Sequence, residues 1–280
     1  MITIGIQTYN RKKILETMAN SLYNSDLSIP HNIRIYDDCS SEYNKDFLEE
    51  LFPTAKTIKI NQINLKADKN MYQMYIDFLN SSDQLIFTAD SDLIFTKNWL
   101  NKSVKLINKT NGIFSIFNSL IHEPYEKICE QFCLKKTIGA AGTIFSKERL
   151  SEFLSTIKSI NNVISLDWQF SEYFEKANIP IYCVNNSLVQ HIGYSGQNAI
   201  FYFDYGRNYK VDSTEQGQII NDIALSFLDD IKNKEKQRAI EIEKRDNNFL
   251  FHLYRCIIIP IKWIIPKKLL RFIRLKLGRY

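Results

Sequence analysis

Residues 85–95 read Leu85-Ile-Phe-Thr-Ala-Asp90-Ser91-Asp92-Leu-Ile-Phe95, and the rest of the chain is organised around this stretch. Its first apolar run predicts a buried β-strand that ends at Asp90. Because burying an unpaired charge is very costly, we expect the carboxylates of Asp90 and Asp92 to meet water or a cation. Two carboxylates one residue apart suit Mg²⁺ or Mn²⁺, although an isolated Asp-Xaa-Asp is also found in plain surface turns.

Strands and helices alternate through the first hundred residues, and polar residues follow the strands. Apolar runs at 2–6, 33–36 and 57–60 predict three more strands, with helical periodicity between them. The sequences Gln7-Thr-Tyr-Asn-Arg11 and Asp37-Asp-Cys-Ser-Ser41 come directly after two of these strands. Open α/β sheets bind ligands at the carboxyl ends of their strands, so these clusters predict a site. The sequence contains neither GxGxxG nor GxxxxGK[ST], the dinucleotide and P-loop signatures.

The composition is that of a soluble globular protein with an uneven charge. Hydrophobic residues make up 45% of the chain and charged residues 24%. The net charge is +5, but residues 249–280 hold eight Lys or Arg and no acidic residue, which leaves −3 for the remainder. A mildly acidic main body argues against nucleic acid binding. No signal peptide and no apolar run of membrane-spanning length is recognisable, so we expect a cytoplasmic protein.

The cysteines predict no disulfide framework. Their number is five and none forms a CxxC pair, which favours a reducing compartment. Cys129 and Cys133 are four residues apart, so on a helix they would share a face. Packing is favoured over metal binding for this pair.

The middle of the chain predicts further strands and helices around three features. Gly139-Ala-Ala-Gly142 precedes a predicted strand, and small residues there permit close approach of a backbone or a ligand. A helix is predicted to begin at Leu166-Asp167-Trp168, and His191 follows a further strand. Residues 232–245 predict a charged helix or linker.

The C-terminal segment predicts a basic amphipathic helix. From Pro266 on, apolar residues share one helical stripe with Lys and Arg between them. Such a helix suits an anionic lipid surface, and an oligomerisation helix or a packed terminal helix is the alternative. The residues predicted to contact the membrane are Trp263, Lys267, Lys268, Arg271 and Arg274.

Four motifs in order resemble the family 2 glycosyltransferases of the GT-A fold: residues 4–11, residues 37–40, Asn70, and Ala89-Asp-Ser-Asp92. The resemblance implies an α/β fold with a Rossmann-like nucleotide-binding half and a mixed central sheet flanked by helices. It implies a glycosyltransferase domain over 1–230, with a nucleotide-sugar half (1–100) and an acceptor half (101–230). The charged helix and the membrane-associating tail then occupy 231–280.

The resemblance assigns the donor site residue by residue. Tyr9 would stack on a base, or is a half-buried aromatic at a strand end, and Arg11 would approach phosphate. Asp38 would accept from a pyrimidine ring, whereas Asp37 is the less certain neighbour and caps the following turn. Asp92 would bind Mn²⁺ or Mg²⁺ directly, with Asp90 facing ribose or the metal. The implied nucleotide-sugar residues are Gln7, Tyr9, Arg11, Asp38, Asn70, Asp90 and Ser91.

The resemblance also suggests the catalytic and acceptor residues. Inverting enzymes of this kind use a carboxylate base, and Asp167 is the candidate, although it lacks an adjacent Glu and is also explained as a helix N-cap. Trp168 would form a sugar platform or lie in the core, and Gly142 would line the acceptor site. His191 would complete the metal ligands, although a lone histidine at a strand end is more often structural.

These expectations combine into a metal-dependent, inverting glycosyltransferase. The donor would be a nucleotide-diphosphate sugar, with UDP-sugar expected, and the acceptor a lipopolysaccharide, capsule or lipid-linked glycan of a bacterium. The enzyme would be peripheral on the inner face of the cell membrane. A nucleotidyltransferase or a non-catalytic membrane-docked scaffold of the same fold is the alternative, and a retaining mechanism is also open.

Overall fold

The structure is a computed structural model that describes residues 1–122, 126–157, 165–193 and 204–246. Strands and helices alternate through its first half, as the apolar periodicity predicts. In chain order the elements are β1 (Ile2–Thr8), α1 (Lys12–Tyr23), β2 (His31–Asp37), α2 (Lys45–Leu51), β3 (Ala55–Ile60), α3 (Ala67–Leu79), β4 (Leu85–Asp90), β5 (Leu93–Phe95), α4 (Trp99–Ile107), β6 (Ile113–Ser115), β7 (Glu126–Lys127), β8 (Phe132–Lys135), β9 (Thr143–Ser146), α5 (Lys147–Thr156), α6 (Leu166–Lys176), β10 (Ile181–Val184), β11 (Val189–His191) and α7 (Thr214–Asp246).

One mixed sheet of nine strands forms the centre, in the order β3-β2-β1-β4-β9-β6-β10-β8-β7. The strands β3, β2, β1 and β4 are parallel, so their carboxyl ends meet at one edge of the sheet. Gln7 lies opposite Asp90, and Thr8 lies opposite Asp37. The next strand, β9, runs antiparallel to β4, so the parallel part of the sheet ends at β4. This is the mixed α/β architecture of the GT-A fold, as expected.

Apolar side chains cover both faces of this sheet. On one face, buried residues of α1 and α4, including Leu15, Leu22 and Trp99, pack on the strands. On the other face, buried residues of α3 and α6, including Met74 and Phe170, form a second core. Each fully buried side chain of this size contributes roughly 1.5–3 kcal/mol, so the two cores hold the sheet and its polar edge in place.

A second, two-stranded sheet lies beside the predicted metal motif. Strand β5 follows Asp92 directly and pairs antiparallel with β11, with His191 opposite Leu93. The sequence analysis did not predict this pairing. It brings a residue almost a hundred positions away next to the Asp-Xaa-Asp segment.

The prediction that Cys129 and Cys133 share a helical face is wrong. Cys133 lies in β8, which pairs with β7 and β10, and Cys129 lies in the connection before it. Cys133 is buried and Cys129 is exposed. Cys133 is buried as a strand residue of the central sheet, whereas Cys129 lies in the exposed connection between β7 and β8, so the two thiols do not share one surface.

The chain divides into two compact units, Met1–Asn221 and Asp222–Tyr280. The described part of the second unit belongs to α7, a helix of 33 residues that begins in the first unit. Within the described ranges, no helix combines the length and the apolarity needed to cross a bilayer. The predicted tail helix, with Trp263, Lys267, Lys268, Arg271 and Arg274, lies outside the described residues.

Candidate active site

A cavity of about 290 Å³ opens at the carboxyl ends of β1, β2 and β4. It forms there because the parallel strands stop at polar segments instead of continuing into apolar sequence. The cavity brings together all the residues implied for the nucleotide-sugar and metal sites, namely Gln7, Tyr9, Arg11, Asp38, Asn70, Asp90, Ser91, Asp92 and His191. Further lining residues that were not predicted include Asn64, Lys66 and Gly193.

Asp90, Asp92 and His191 form a cluster that could hold a metal ion. Each offers one ligand atom, and these atoms all lie within 4.8 Å of one another. Asp90 ends β4, Asp92 precedes β5, and the pairing of β5 with β11 places His191 against them. His191 Nε2 is 3.2 Å from Asp92 Oδ1. Two carboxylates and an imidazole are a donor set for Mn²⁺ or Mg²⁺ rather than for a soft metal.

Arg11 also contacts this cluster. Its Nη1 donates to Asp92 Oδ2 at 2.8 Å, and its Nη2 donates to Ser91 Oγ at 3.1 Å. Asn10 and Arg11 have φ values of 51° and 56°, in the left-handed region that non-glycine residues rarely adopt. The turn after β1 therefore directs the guanidinium onto the Asp-Xaa-Asp segment, where it balances the Asp92 charge.

The electrostatics of the cluster follow from burial and close opposite charges. Burial and the neighbouring Asp92 raise the pKa of Asp90 to about 6. Burial would also raise the pKa of Asp92, but the charges of His191 and Arg11 outweigh it and lower that pKa. Burial lowers the pKa of His191, and the Asp92 carboxylate reverses this and raises it to about 9. A metal ion at this cluster would compete with the protons on Asp90 and His191.

The geometry at Asp92 fits a cation. Asp92 is 3% exposed, and His191 Nε2 lies 3.2 Å from its buried Oδ1 without forming a well-aligned hydrogen bond in the described part of the chain. A cation held by Asp90, Asp92 and His191 would give this buried oxygen a positive partner when the imidazole is neutral. Gly193 leaves this oxygen pair accessible, because a Cβ at that position would lie 1.9 Å from Asp92 Oδ2.

Asp38 and Asn70 hold the opposite wall of the cavity. Asp38 Oδ1 accepts from Leu65 N at 2.7 Å, and its Oδ2 accepts from Lys66 N at 2.9 Å. Asn61 Nδ2 donates to both Asp38 Oδ1 and Asn70 Oδ1 at 3.0 Å. These bonds fix the segment between β3 and α3. Asp38 therefore has a structural role beside the base-binding role that the resemblance implies.

Asp37 and Asn70 make further hydrogen bonds within the protein. The Asp37 carboxylate accepts from Ser40 N at 2.9 Å and from Thr8 Oγ1 at 3.0 Å, which caps the turn after β2. Asn70 Nδ2 donates to Tyr36 O at 2.9 Å. Gln7 Oε1 is buried and has no partner among the described residues, so it is an acceptor without a donor at the cavity wall.

Asp167, Trp168 and Gly142 do not line this cavity. Asp167 lies in the first turn of α6, where Ser165 and not Asp167 occupies the N-cap position. Trp168 is 52% exposed, so it is not a core residue. Its ring centroid is 6.1 Å from that of His122, a residue that the sequence analysis did not single out.

Gly142 has a conformational and steric reason to be glycine. Its φ is +76°, and a Cβ there would lie 2.8 Å from Phe117 Cβ. Both features follow from the turn into β9. A contact between Gly142 and an acceptor stays a prediction.

Comparisons with known proteins agree with this geometry. The model of the family described as Glycosyl transferase family 2 matches residues 3–130. The structure of S. aureus TarS 1–349 with UDP-GlcNAc aligns with a TM-score of 0.52 at 15% identity, over 77% of this chain and 60% of that chain. The complex of TarS 1–349 with UDP gives a TM-score of 0.50 at 15% identity, over 81% and 64%.

A third structure aligns less well. It is the mannosyltransferase PcManGT from Pyrobaculum calidifontis with GDP-Man and Mn²⁺, with a TM-score of 0.46 at 13% identity over 61% of this chain and 50% of that chain. No curated protein matches the sequence. The chain spans about 60% of the length of the TarS structure with UDP-GlcNAc, and at 15% identity that likeness shows the fold alone. Residues 3–130 match the family described as Glycosyl transferase family 2, and the fold around the cavity is that of the GT-A glycosyltransferases.

Proposed function

We propose that the protein is a metal-dependent, inverting glycosyltransferase that uses a UDP-sugar. One observation carries the proposal: the cluster of Asp90, Asp92 and His191 lies in the same cavity as Tyr9 and Asp38. A nucleotide-diphosphate sugar needs both a flat, polar pocket for its base and a positive charge at its diphosphate. The cavity offers the first, and a cation on the cluster would supply the second.

Each residue of the donor cavity has a proposed role that follows from its position. Tyr9 presents an aromatic ring to the base, and the unpartnered Gln7 Oε1 would accept a hydrogen bond from the donor. Asp90, Asp92 and His191 would hold Mn²⁺ or Mg²⁺, whose charge stabilises the diphosphate leaving group. TarS has the same fold and was solved with UDP-GlcNAc, so UDP-sugars are the first donors to test.

Asp167 would act as the general base on the acceptor hydroxyl. Its Oδ1 accepts from Trp168 N at 2.8 Å and also from Ser165 Oγ. Its Oδ2 makes no hydrogen bond to any residue that the structure describes, so it is free to take a proton. Asp167 lies in the first turn of α6, where the helix dipole is favourable for a negative charge. The negative charge of Asp167 also contributes to the raised pKa of Asp90, which supports a position of Asp167 near the cluster.

The acceptor proposed is a bacterial surface glycan: lipopolysaccharide, capsule or a lipid-linked oligosaccharide. Its support is the sequence of the tail, which combines Trp263 with basic residues. The test is sedimentation of the full chain with vesicles that contain anionic lipid. Replacing Lys267, Lys268, Arg271 and Arg274 by Glu should abolish sedimentation, and unchanged sedimentation would contradict membrane association through this tail.

The decisive experiment is a thermal-shift panel of UDP, GDP, CMP and dTDP, each with and without Mn²⁺. A ligand that binds only the folded protein raises the melting temperature by mass action. We expect a shift with UDP that requires Mn²⁺, followed by Mn²⁺-dependent hydrolysis of UDP-GlcNAc or UDP-glucose with water as the acceptor. A shift with none of the nucleotides, together with no hydrolysis, would contradict the proposal and favour a non-catalytic scaffold.

A further inference from the structure

Helix α6 has its first backbone N–H capped by a carboxylate from another helix. Leu166 N donates to Asp68 Oδ1 at 3.0 Å, across 98 positions of sequence. The N-cap residue Ser165 does not cap the helix with its side chain, because its Oγ donates to Asp167 instead. Asp68 thus satisfies a helix N-terminus that its own N-cap leaves open.

The donor of this hydrogen bond, Leu166, is the residue immediately before the proposed base, Asp167. Leu166 N belongs to the peptide bond between Ser165 and Leu166, so the hydrogen bond to Asp68 holds the backbone where α6 begins, one residue before Asp167. Leu166 itself is fully buried in the core under α3 and α5, which holds the side of α6 away from the site. The hydrogen bond to Asp68 holds the end of the helix that carries Asp167.

Asp68 does not itself line the donor cavity, but its neighbours in the chain do. It lies in the first turn of α3, between Ala67 and Asn70, which both line the cavity. The residues just before this turn are fixed by Asp38, which accepts from the backbone of Leu65 and Lys66. Hydrogen bonds to Asp38 therefore fix the segment just before α3, and the hydrogen bond from Leu166 N to Asp68 joins the first turn of α3 to the first turn of α6.

The charges agree with this closeness. Asp68 is half-buried, and burial together with the nearby Asp167 raises its pKa. Two carboxylates from elements far apart in sequence are brought near each other only where something else compensates for their repulsion. Here the Leu166 N–H provides one charge-assisted hydrogen bond.

We propose that Asp68 is a positioning residue that fixes the Asp167 carboxylate relative to the donor cavity. The inference rests on the proposed role of Asp167 as base, and it adds Asp68, a residue that the sequence analysis did not assign to the site. Asp68 contacts neither the donor nor the reacting atoms. It acts through the hydrogen bond to Leu166 N, which holds the start of α6 against the first turn of α3.

The test compares the hydrolysis of UDP-GlcNAc and UDP-glucose, in Mn²⁺, by the full chain and four variants: Asp68→Ala, Asp68→Asn, Asp46→Ala and Asp167→Asn. In Asp68→Ala the hydrogen bond is lost, and a misplaced base should lower kcat by roughly 10–100-fold while KM stays within about twofold. In Asp68→Asn the amide oxygen accepts the same bond, so kcat should return to within about threefold of the unmodified protein. Asp46→Ala removes an exposed carboxylate from the first turn of α2 and should leave kcat unchanged.

Each outcome decides between the two proposals. If Asp68→Ala keeps the kcat of Asp46→Ala while Asp167→Asn is inactive, the positioning role is overturned and the base stands. If Asp167→Asn keeps full kcat, the proposed base is wrong and the inference fails with it. If Asp68→Asn loses as much kcat as Asp68→Ala, the hydrogen bond is not the cause. Melting temperatures identify a variant that does not fold, and Asp68→Ser then replaces Asp68→Ala.

Discussion

Polar residues do different work in the two halves of the sheet. In residues 1–100, Asp38, Asp90 and Asp92 stand at the carboxyl ends of parallel strands and face a cavity. In residues 101–221, buried polar side chains mostly satisfy the backbone. Asn118 Nδ2, for example, donates to Val184 O at 2.7 Å, and Ser187 Oγ accepts from Asn118 N at 2.9 Å.

The difference comes from topology. Parallel strands leave one common edge, so polar groups placed there can be spared for a ligand. The short strands β6, β9, β10 and β8 leave irregular connections whose buried N–H and C=O groups need partners from side chains. In the first half, Asp37 and Asp38 also bond to the backbone, but the Asp-Xaa-Asp carboxylates remain for a ligand; in the second half, the buried polar residues mainly make structural hydrogen bonds. Substitutions should separate activity from stability accordingly.

The largest effect is expected for Asp92→Asn. Loss of the negative ligand should lower the rate of UDP-sugar hydrolysis by roughly 10²–10³-fold, because the cation at the diphosphate supplies several kcal/mol. It should also remove the Mn²⁺ dependence of the thermal shift with UDP. The matched control is Asp83→Asn. Asp83 lies just before β4, at the end opposite to Asp92, and its carboxylate accepts from Thr3 and Asn32. That variant should lose stability and keep Mn²⁺ dependence; equal effects of the two changes would contradict the metal site.

The next effect is expected for Gly193→Ala. A Cβ would collide with Asp92 Oδ2 at 1.9 Å and would lie 3.0 Å from Arg11 Nη1, so the carboxylate must move. Disturbing the surroundings of a ligand typically costs roughly 10–100-fold in metal affinity or activity. Titration of Mn²⁺ in the presence of UDP measures the change. Unaltered Mn²⁺ affinity would show that Asp92 does not hold the cation in this arrangement.

In the second half, Asn118→Ala should lower stability and leave catalysis intact. The substitution leaves Val184 O without its donor, which costs about 1–3 kcal/mol. The exposed helix-end residue Asn108 serves as control, and its change to Ala should stay within about 0.5 kcal/mol. Urea unfolding gives the stability, and kcat per folded molecule gives the activity. A large loss of kcat in Asn118→Ala would break the distinction between the two halves.

The smallest effect is expected for Gly217→Ala in α7. A Cβ there would make an ordinary contact, 3.7 Å from Val211 Cγ2. Alanine inside a helix is favoured over glycine by roughly 0.5–1 kcal/mol, so the variant should be slightly more stable. Thermal unfolding measures the gain, and Mn²⁺ titration should show no change. A loss of stability would mean that residue 217 is not in a regular helix.

The first half of the fold and the residues gathered in its cavity are predictable from the sequence. Strands β1, β2 and β4 carry apolar residues at their buried positions, and polar segments mark their ends, so the polar edge with Gln7, Asp38 and Asp90 is indicated by the residue pattern, whereas the roles of these residues come from the family resemblance. Prediction fails where a contact depends on tertiary pairing. The short strand β5 directly follows the Asp-Xaa-Asp segment, and nothing in its own sequence indicates that it pairs with β11.

Two features of the site have no local signal. Asp68 reads as an ordinary acidic residue in a first helical turn, and its bond to Leu166 N depends on how α3 and α6 pack on the sheet. The ion pair of Arg11 with Asp92 depends on two residues in left-handed conformation, which sequence periodicity does not report. Side-chain contacts that depend on long-range packing are therefore the ones that sequence patterns do not predict.

The order of the strands also bears on how the protein behaves in a crowded solution. The outermost strands are β3 and β7, and an open strand edge is a template on which other chains can add. Strand β3 carries Lys56 and Lys59, and β7 consists of Glu126 and Lys127 alone. Charge on one edge and brevity at the other oppose edge-to-edge association, so the sheet that positions the donor cavity is also protected from aggregation.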